Sequence, residues 1–269
     1  MTQDERERRG SSFGAVASAY ADLRPGYPAE AVRWALAPAG ADVPGLRVVD
    51  LGAGTGILTE LLTGLGADVT AVEPDDAMRA EFARRLPSAR LLAGSAEGIP
   101  VPDGSADAVL CGQAMHWFNL DLALPEIARV LRPGGVLAGL WNNDDDRVDW
   151  MAGLQRAAEG ATSPSLSLRR VQTAALEAVR FEARSFTAPE RAEFPNSQRR
   201  TAESLVATIA THSRLLVMDP PDRDRVLTQV RQYLHTRPET SDGEFTVPLV
   251  TLVLRTTREE ADTDAAAGR

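Results

Sequence analysis

A cluster of glycines and a carboxylate one strand further on are the residues of this chain best suited to chemistry. Residues Val48–Gly56 read Val-Val-Asp-Leu-Gly-Ala-Gly-Thr-Gly, and Glu73 follows the next apolar run, Ala67–Val72. Glycine at 52 and 54 removes the Cβ atoms that would keep a ligand away from the backbone. A carboxylate just past the end of a strand can accept hydrogen bonds from a ribose diol. The spacing discriminates between ligands. A dinucleotide turn follows G-x-G-x-x-G and needs glycine at 57, whereas Ile57 stands there and the third glycine is Gly56. Gly52-x-Gly54-x-Gly56 after a strand ending near Asp50 fits a nucleoside without a pyrophosphate, with S-adenosylmethionine the best match.

These residues need strands and helices in alternation to hold them. The pattern predicts strands over 46–51, 67–72, 90–92, 106–111 and 136–141, with helices over 57–65, 75–85 and 121–131. The turn Arg132-Pro133-Gly134-Gly135 precedes the strand at 136. Such alternation implies a parallel sheet with helices on both faces. Upstream, Phe13, Val16 and Tyr20 share one face of a helix over Ser12–Tyr20. The run Arg24-Pro25-Gly26-Tyr27-Pro28 breaks it, and Ala29–Leu36 begins a second helix. Downstream, helices are expected over Val148–Glu159, Leu168–Ala178, Thr201–Ser213 and Asp222–His235. Val179–Phe186 and Phe245–Leu254 read as strands, the last as a closing antiparallel strand. The expected division is residues 1–44 as tail and lid helices and 45–143 as the cofactor-binding core. Residues 144–258 then complete the same domain with a helical cap over the C-terminal edge of the sheet, and 259–269 form a disordered tail.

Composition narrows the partners. The chain carries 29 Lys and Arg against 38 Asp and Glu, a formal charge of −9, which disfavours nucleic acid, whose binding rests on neutralising phosphates. Cys111 is the single cysteine, so neither an intramolecular disulfide nor a multi-cysteine metal site is available. There is no apolar run of about 18 residues to span a membrane, and the charged stretch Met1–Gly10 lacks the apolar region of a signal peptide. A cytoplasmic protein, monomer or homodimer, is expected. The acidic run Asn142–Asp146 lacks a spaced ligand set and reads as a polar loop, so no metal site is assigned.

In these blocks the chain resembles the class I S-adenosylmethionine-dependent methyltransferases, in particular a bacterial small-molecule branch. The resemblance runs from Phe13 to about Arg258. It rests on Phe13 with Tyr20-Ala-Asp-Leu-Arg24-Pro25-Gly26-Tyr27-Pro28, the glycine turn, Val72-Glu73-Pro74, Gly94-Ser95-Ala96-Glu97, Gln113-Ala114-Met115-His116-Trp117-Phe118 and Leu140-Trp141-Asn142. Asn119 departs from the aspartate usual after His-Trp-Phe. The resemblance implies a Rossmann-like α/β fold, with a seven-stranded mostly parallel sheet, and a cofactor site of Tyr20, Arg24, Gly52, Ala53, Gly54, Glu73, Pro74, Met78, Ser95, Ala96 and Gln113. Met78 suits one face of adenine, Ser95 and Ala96 its edge, Gln113 the methionine portion, and Tyr20 and Arg24 a lid in which arginine holds the cofactor carboxylate.

Methyl transfer from a sulfonium requires alignment above all. His116 is the candidate base if the acceptor must lose a proton, while His212 on the cap is expected to face solvent. The expected reaction is methylation of a small organic acceptor, a metabolite or natural-product intermediate. The alternative is a methyltransferase-fold protein that binds the cofactor and catalyses a non-methylating step such as cyclisation. Methylation of protein or nucleic acid is disfavoured by charge and by Gln113–His116 standing where an Asn/Asp-Pro-Pro-Tyr/Phe signature would be.

Overall fold

The computed structural model describes residues 23–40, 42–159, 185–211 and 213–259. The helix expected over Ser12–Tyr20, Tyr20 itself, the helix expected over Leu168–Ala178, most of the strand expected over Val179–Phe186, His212, and the stretches 1–10 and 260–269 lie outside the described residues.

The first half of the chain winds as its alternation predicts. After α1 (Ala29–Leu36) come β1 (Arg47–Leu51), α2 (Ile57–Gly64), β2 (Asp68–Glu73), α3 (Asp76–Arg85), β3 (Arg90–Ala93) and β4 (Ala106–Gly112). A single 3-10 turn, Met115–Trp117, leads into α4 (Leu120–Val130), β5 (Leu131–Asp144) and α5 (Asp149–Glu159). The strands form one seven-stranded sheet in the order β3-β2-β1-β4-β5-β7-β6, with β6 (Glu190–Arg200) and β7 (Phe245–Thr257) antiparallel to their neighbours. β1, β2 and β4 are buried on both faces, which is why they read as nearly unbroken apolar runs. One face packs on Leu124, Ile127 and Val130 of α4, the other on Ala31, Val32 and Leu36 of α1 and Leu58 and Leu62 of α2.

Three boundaries differ from the pattern. Glu73 is the last residue of β2, hydrogen-bonding in register with Ala93 of β3, not the residue beyond it. The Arg132–Gly135 turn is absorbed into β5: Leu131 pairs with Ala106 and Val136 with Ala108, so the residues between bulge out of register. Most consequentially, the sixth strand is Glu190–Arg200. Phe186, at the end of the run expected to form it, makes only an isolated bridge to Arg258.

Between β6 and β7 lie α6 (Ala202–Ala210), α7 (Ser213–Leu216) and α8 (Pro220–His235). Thr201 and Ser204 form a reciprocal capping box that starts α6 at the C-terminal edge of the sheet. Leu205, Val206, Leu215, Val226, Val230 and Leu234 pack with Trp150, Met151 and Leu154 of α5 into a separate apolar cluster. Phe245, Val247 and Leu249 of β7 join the same cluster, so the cap is packed onto the start of the last strand and α5.

Candidate functional site

The glycine turn is tied to the end of the neighbouring strand. Both Gly52 and Ala53 donate backbone N–H groups to the Val72 carbonyl, at 2.9 and 3.1 Å, and Ala53 packs with Ala71 and Phe82 beneath the turn. The two glycines expected to face the cofactor do different work. Gly52 has φ +72°, and a Cβ there would stand 2.6 Å from Ala114 Cβ, so it is required by the protein's own packing against the β4 loop. Gly54 has φ +56° with nothing within 4 Å of where its Cβ would be; the open space lies on its outer side, where a ligand can sit.

Glu73 is fixed by the same turn. Its Oε2 accepts from the Gly54 N–H at 2.8 Å and its Oε1 from the Asp75 N–H at 2.9 Å. Only 7% of the residue is exposed. Burial raises its pKa, and the two N–H bonds oppose that rise. Each oxygen keeps a lone pair free, which is what a diol needs. Asp75 in turn caps α3 by accepting from the Met78 N–H at 2.8 Å, which places the buried Met78 side chain one turn beyond Glu73. Pro74 gives its carbonyl to Arg79. Ser95 pairs with Gly98 just after β3, and Ala96 is buried against the core face under α4.

Two buried polar atoms at the turn have no partner among the described residues: Asp50 Oδ1 and Thr55 Oγ1. Asp50 is fully buried, with Oδ2 accepting from Thr59 at 2.6 Å. Burial, with the Glu73 charge adding to it, pushes its pKa up to about 7. An orphaned acidic oxygen beside an open cradle fits a ligand that brings positive charge.

At the end of β4 the backbone is strained. Gln113 has φ +56°, a left-handed conformation that costs a non-glycine residue about 1–3 kcal/mol. Its N–H donates to the Leu140 carbonyl and its Nε2 to the Asn142 carbonyl at 3.0 Å, leaving Oε1 as an acceptor. Three residues on, His116 stacks on Trp117 with ring centroids 4.6 Å apart. Its Nδ1 accepts from Trp141 Nε1 at 3.3 Å. The neutral ring thus carries its proton on Nε2 and presents a donor. Burial and the nearby Arg24 charge push its pKa down to about 3. Both facts revise the expectation of a base poised near neutrality.

The segment 23–27 crosses the edge of β5 and β6. Asn142 Nδ2 donates to the Pro25 and Gly26 carbonyls, Asn196 Nδ2 to the Gly26 carbonyl, and Arg200 to the Leu23 carbonyl. The Tyr27 hydroxyl lies where a Gly112 Cβ would be. Arg24 NH2 donates to the Thr211 carbonyl at the end of α6, so its guanidinium is held between the cap and His116.

The sequence thus brings together two groups of expected residues, Gly52, Gly54, Glu73, Pro74, Met78, Ser95 and Ala96 over β1–β3, and Gln113 and His116 over β4. Arg24 sits further along, on the cap side. Leu215 is buried in the apolar cluster under the cap, and Phe118 lies against the Gly52 wall. Asn142, Asn196 and Thr251, which interlock through Asn142 Oδ1, and Arg200 were not singled out as site residues. Asn142 belongs to the Leu140-Trp141-Asn142 block of the resemblance, whereas Asn196 and Arg200 on β6 and Thr251 on β7 lie in no such block.

A model described as a methyltransferase domain matches residues 49–139. Over 247 residues the chain is 38% identical to an uncharacterized methyltransferase of Mycobacterium tuberculosis, covering 91% of this chain and 95% of that protein. An uncharacterized methyltransferase of Schizosaccharomyces pombe is 27% identical over 236 residues, 87% and 92% of the respective chains. In fold the chain is similar to a candidate type II methyltransferase of Anaeromyxobacter dehalogenans, with TM-score 0.62 and 22% identity over 87% of this chain and 97% of that one.

Proposed function

Since the chain belongs to the class I S-adenosylmethionine-dependent methyltransferases, we propose that its acceptor is a small organic molecule, a metabolite or biosynthetic intermediate, methylated in the cytoplasm by a monomer or homodimer. The observation that carries the cofactor part of the reading is the pairing of Glu73 with the Gly54 and Asp75 N–H groups beside an open cradle, at the C-terminal ends of β1 and β2. A net charge of −9 supports a small molecule over nucleic acid.

S-adenosylmethionine supplies an electrophilic methyl whose bonding electrons return to sulfur, leaving S-adenosylhomocysteine. The chain's task is to bind, orient and exclude water. In this reading Glu73 holds the ribose diol, Met78 one adenine face, and Ser95 and Ala96 its edge. Gln113 Oε1 and the orphaned Asp50 Oδ1 favour the positively charged end, with Gly52, Ala53, Gly54 and Pro74 shaping the cradle. Tyr20 and Arg24 belong to the lid. His116 gives its Nε2 proton as a hydrogen bond that orients the acceptor.

Calorimetry tests the foundation. Wild-type protein should bind S-adenosylmethionine and S-adenosylhomocysteine, and Glu73→Ala should weaken both by about 2–3 kcal/mol, the effect of losing hydrogen bonds to a charged group. No binding by the wild type, or equal affinity in the variant, overturns it. A wild type that binds the cofactor and accelerates a ring closure without releasing S-adenosylhomocysteine would establish the non-methylating alternative.

A further inference from the structure

Arg200 is the last residue of β6, at the sheet edge beside the cap. Its neighbour Arg199 faces outward and pairs with Glu244, so the strand's alternation turns Arg200 to the half-buried face with Asn196 and Gln198. A guanidinium has five N–H donors. Arg200 uses NH2 on the Leu23 carbonyl and NH1, weakly at 3.4 Å, on the Arg199 carbonyl. Its Nε is buried with no acceptor, and among the described residues no carboxylate pairs with it. Arg47, Arg129, Arg231 and Arg255 each pair with a carboxylate, whereas Arg200 has only backbone carbonyls as partners. Leaving a partly buried cation without an anion is unfavourable unless something else supplies the charge. Burial lowers the Arg200 pKa, and no acid opposes it.

The surroundings are donor-rich. The Leu23 carbonyl accepts from Arg200 and has Gln198 Nε2 beside it at 3.4 Å, while the Thr208 hydroxyl, also at 3.4 Å, gives its one proton to the Ser204 carbonyl at 2.8 Å. Arg24 adds a second positive charge across the same segment, close enough to act on His116. Arg24 is the residue expected to meet the cofactor carboxylate, and Arg200 lies further from the cradle. β6 stands four strand positions from the glycine turn on β1, about 19 Å at ordinary strand spacing. The nearer part of the site is the 23–27 segment, whose Arg24 charge reaches His116.

We propose that Arg200 is a specificity residue for the acceptor, its guanidinium binding a carboxylate carried by the small molecule that is methylated. This rests on the small-acceptor reading above. A planar carboxylate matches the fork of the guanidinium, and Gln198 is placed to add a neutral donor.

The test uses the full chain loaded with S-adenosylhomocysteine and a library of small mono- and dicarboxylic acids with their matched primary amides and phosphate monoesters. Binding is read by calorimetry, and turnover with S-adenosylmethionine as S-adenosylhomocysteine release. Acids should bind and react, while amides and phosphates bind far more weakly. Arg200→Gln should raise the acid's KM about 100-fold and collapse the acid-to-amide ratio, and Arg200→Lys should recover part of that loss. The proposal is overturned if no acid binds the loaded wild type, if amides or phosphates do as well as acids, or if Arg200→Gln weakens the cofactor and leaves the acid-to-amide ratio unmoved, the mark of a residue that only latches the 23–27 segment. Arg200-dependent acid binding without turnover would sustain the proposal while removing methyl transfer to a small acceptor.

Discussion

Asp50 and His116 are two buried titratable groups whose environments push them in opposite directions, and each makes the site sensitive to pH in its own way. With its pKa near 7, Asp50 is protonated in the empty protein below that pH. A cationic cofactor beside it favours the carboxylate, so binding below pH 7 must release a proton. Affinity for S-adenosylmethionine should then rise with pH up to about 7 and level off above it, with Asp50→Asn flattening the curve; calorimetry between pH 5.5 and 8.5 checks this. The same shift acts against folding. A carboxyl raised above its unfolded pKa of about 3.9 costs nothing below that value, and its penalty grows as the pH climbs towards 7. His116, with its pKa near 3, stays neutral across this range and contributes no limb. Turnover should therefore be flat around pH 6.5 with respect to His116. His116→Gln, which keeps a donor, should hold turnover within about tenfold of wild type, whereas His116→Ala loses more. A collapse in the Gln variant together with an inflection between pH 6 and 7 would restore the base.

At the level of elements, the part of the fold expected to bind the cofactor was legible because its signals are local. β1 and β2 are continuous apolar runs, the glycine turn follows directly, and Glu73 closes the next strand; each is readable within a few residues. β6 was not. Its sequence, Glu-Arg-Ala-Glu-Phe-Pro-Asn-Ser-Gln-Arg-Arg, is charged and contains Pro195, which argues for a loop. Those features suit an edge strand, where proline loses no ladder bond on the open side and charge discourages further pairing. What made it a strand was β7, eleven register pairs long, a partner some fifty residues away that periodicity cannot see. The same blindness hid the residues proposed for the acceptor side. Asn142, Asn196, Gln198 and Arg200 gain meaning only once β5, β7 and β6 are laid side by side, whereas His116 was recognisable as a rare histidine yet its tautomer depended on Trp141, a strand away.

Across the whole molecule, the two halves of the proposed site come from different parts of the chain: the cofactor cradle from β1–β4, the acceptor side from β5–β7 and the cap. The segment 23–27 is the piece that touches both, with Tyr27 over the end of β4 and its carbonyls held by Asn142, Asn196 and Arg200. One strap across two compartments has a kinetic meaning. If the strap must lift for the nucleoside to enter or leave, the acceptor compartment loses one wall at the same moment, so the two substrates do not exchange independently. Binding should be compulsory in order, nucleoside first and S-adenosylhomocysteine released last. Product inhibition reads this directly: S-adenosylhomocysteine should compete with S-adenosylmethionine and act noncompetitively against the acceptor, and a random-order pattern would show that the strap opens one compartment at a time.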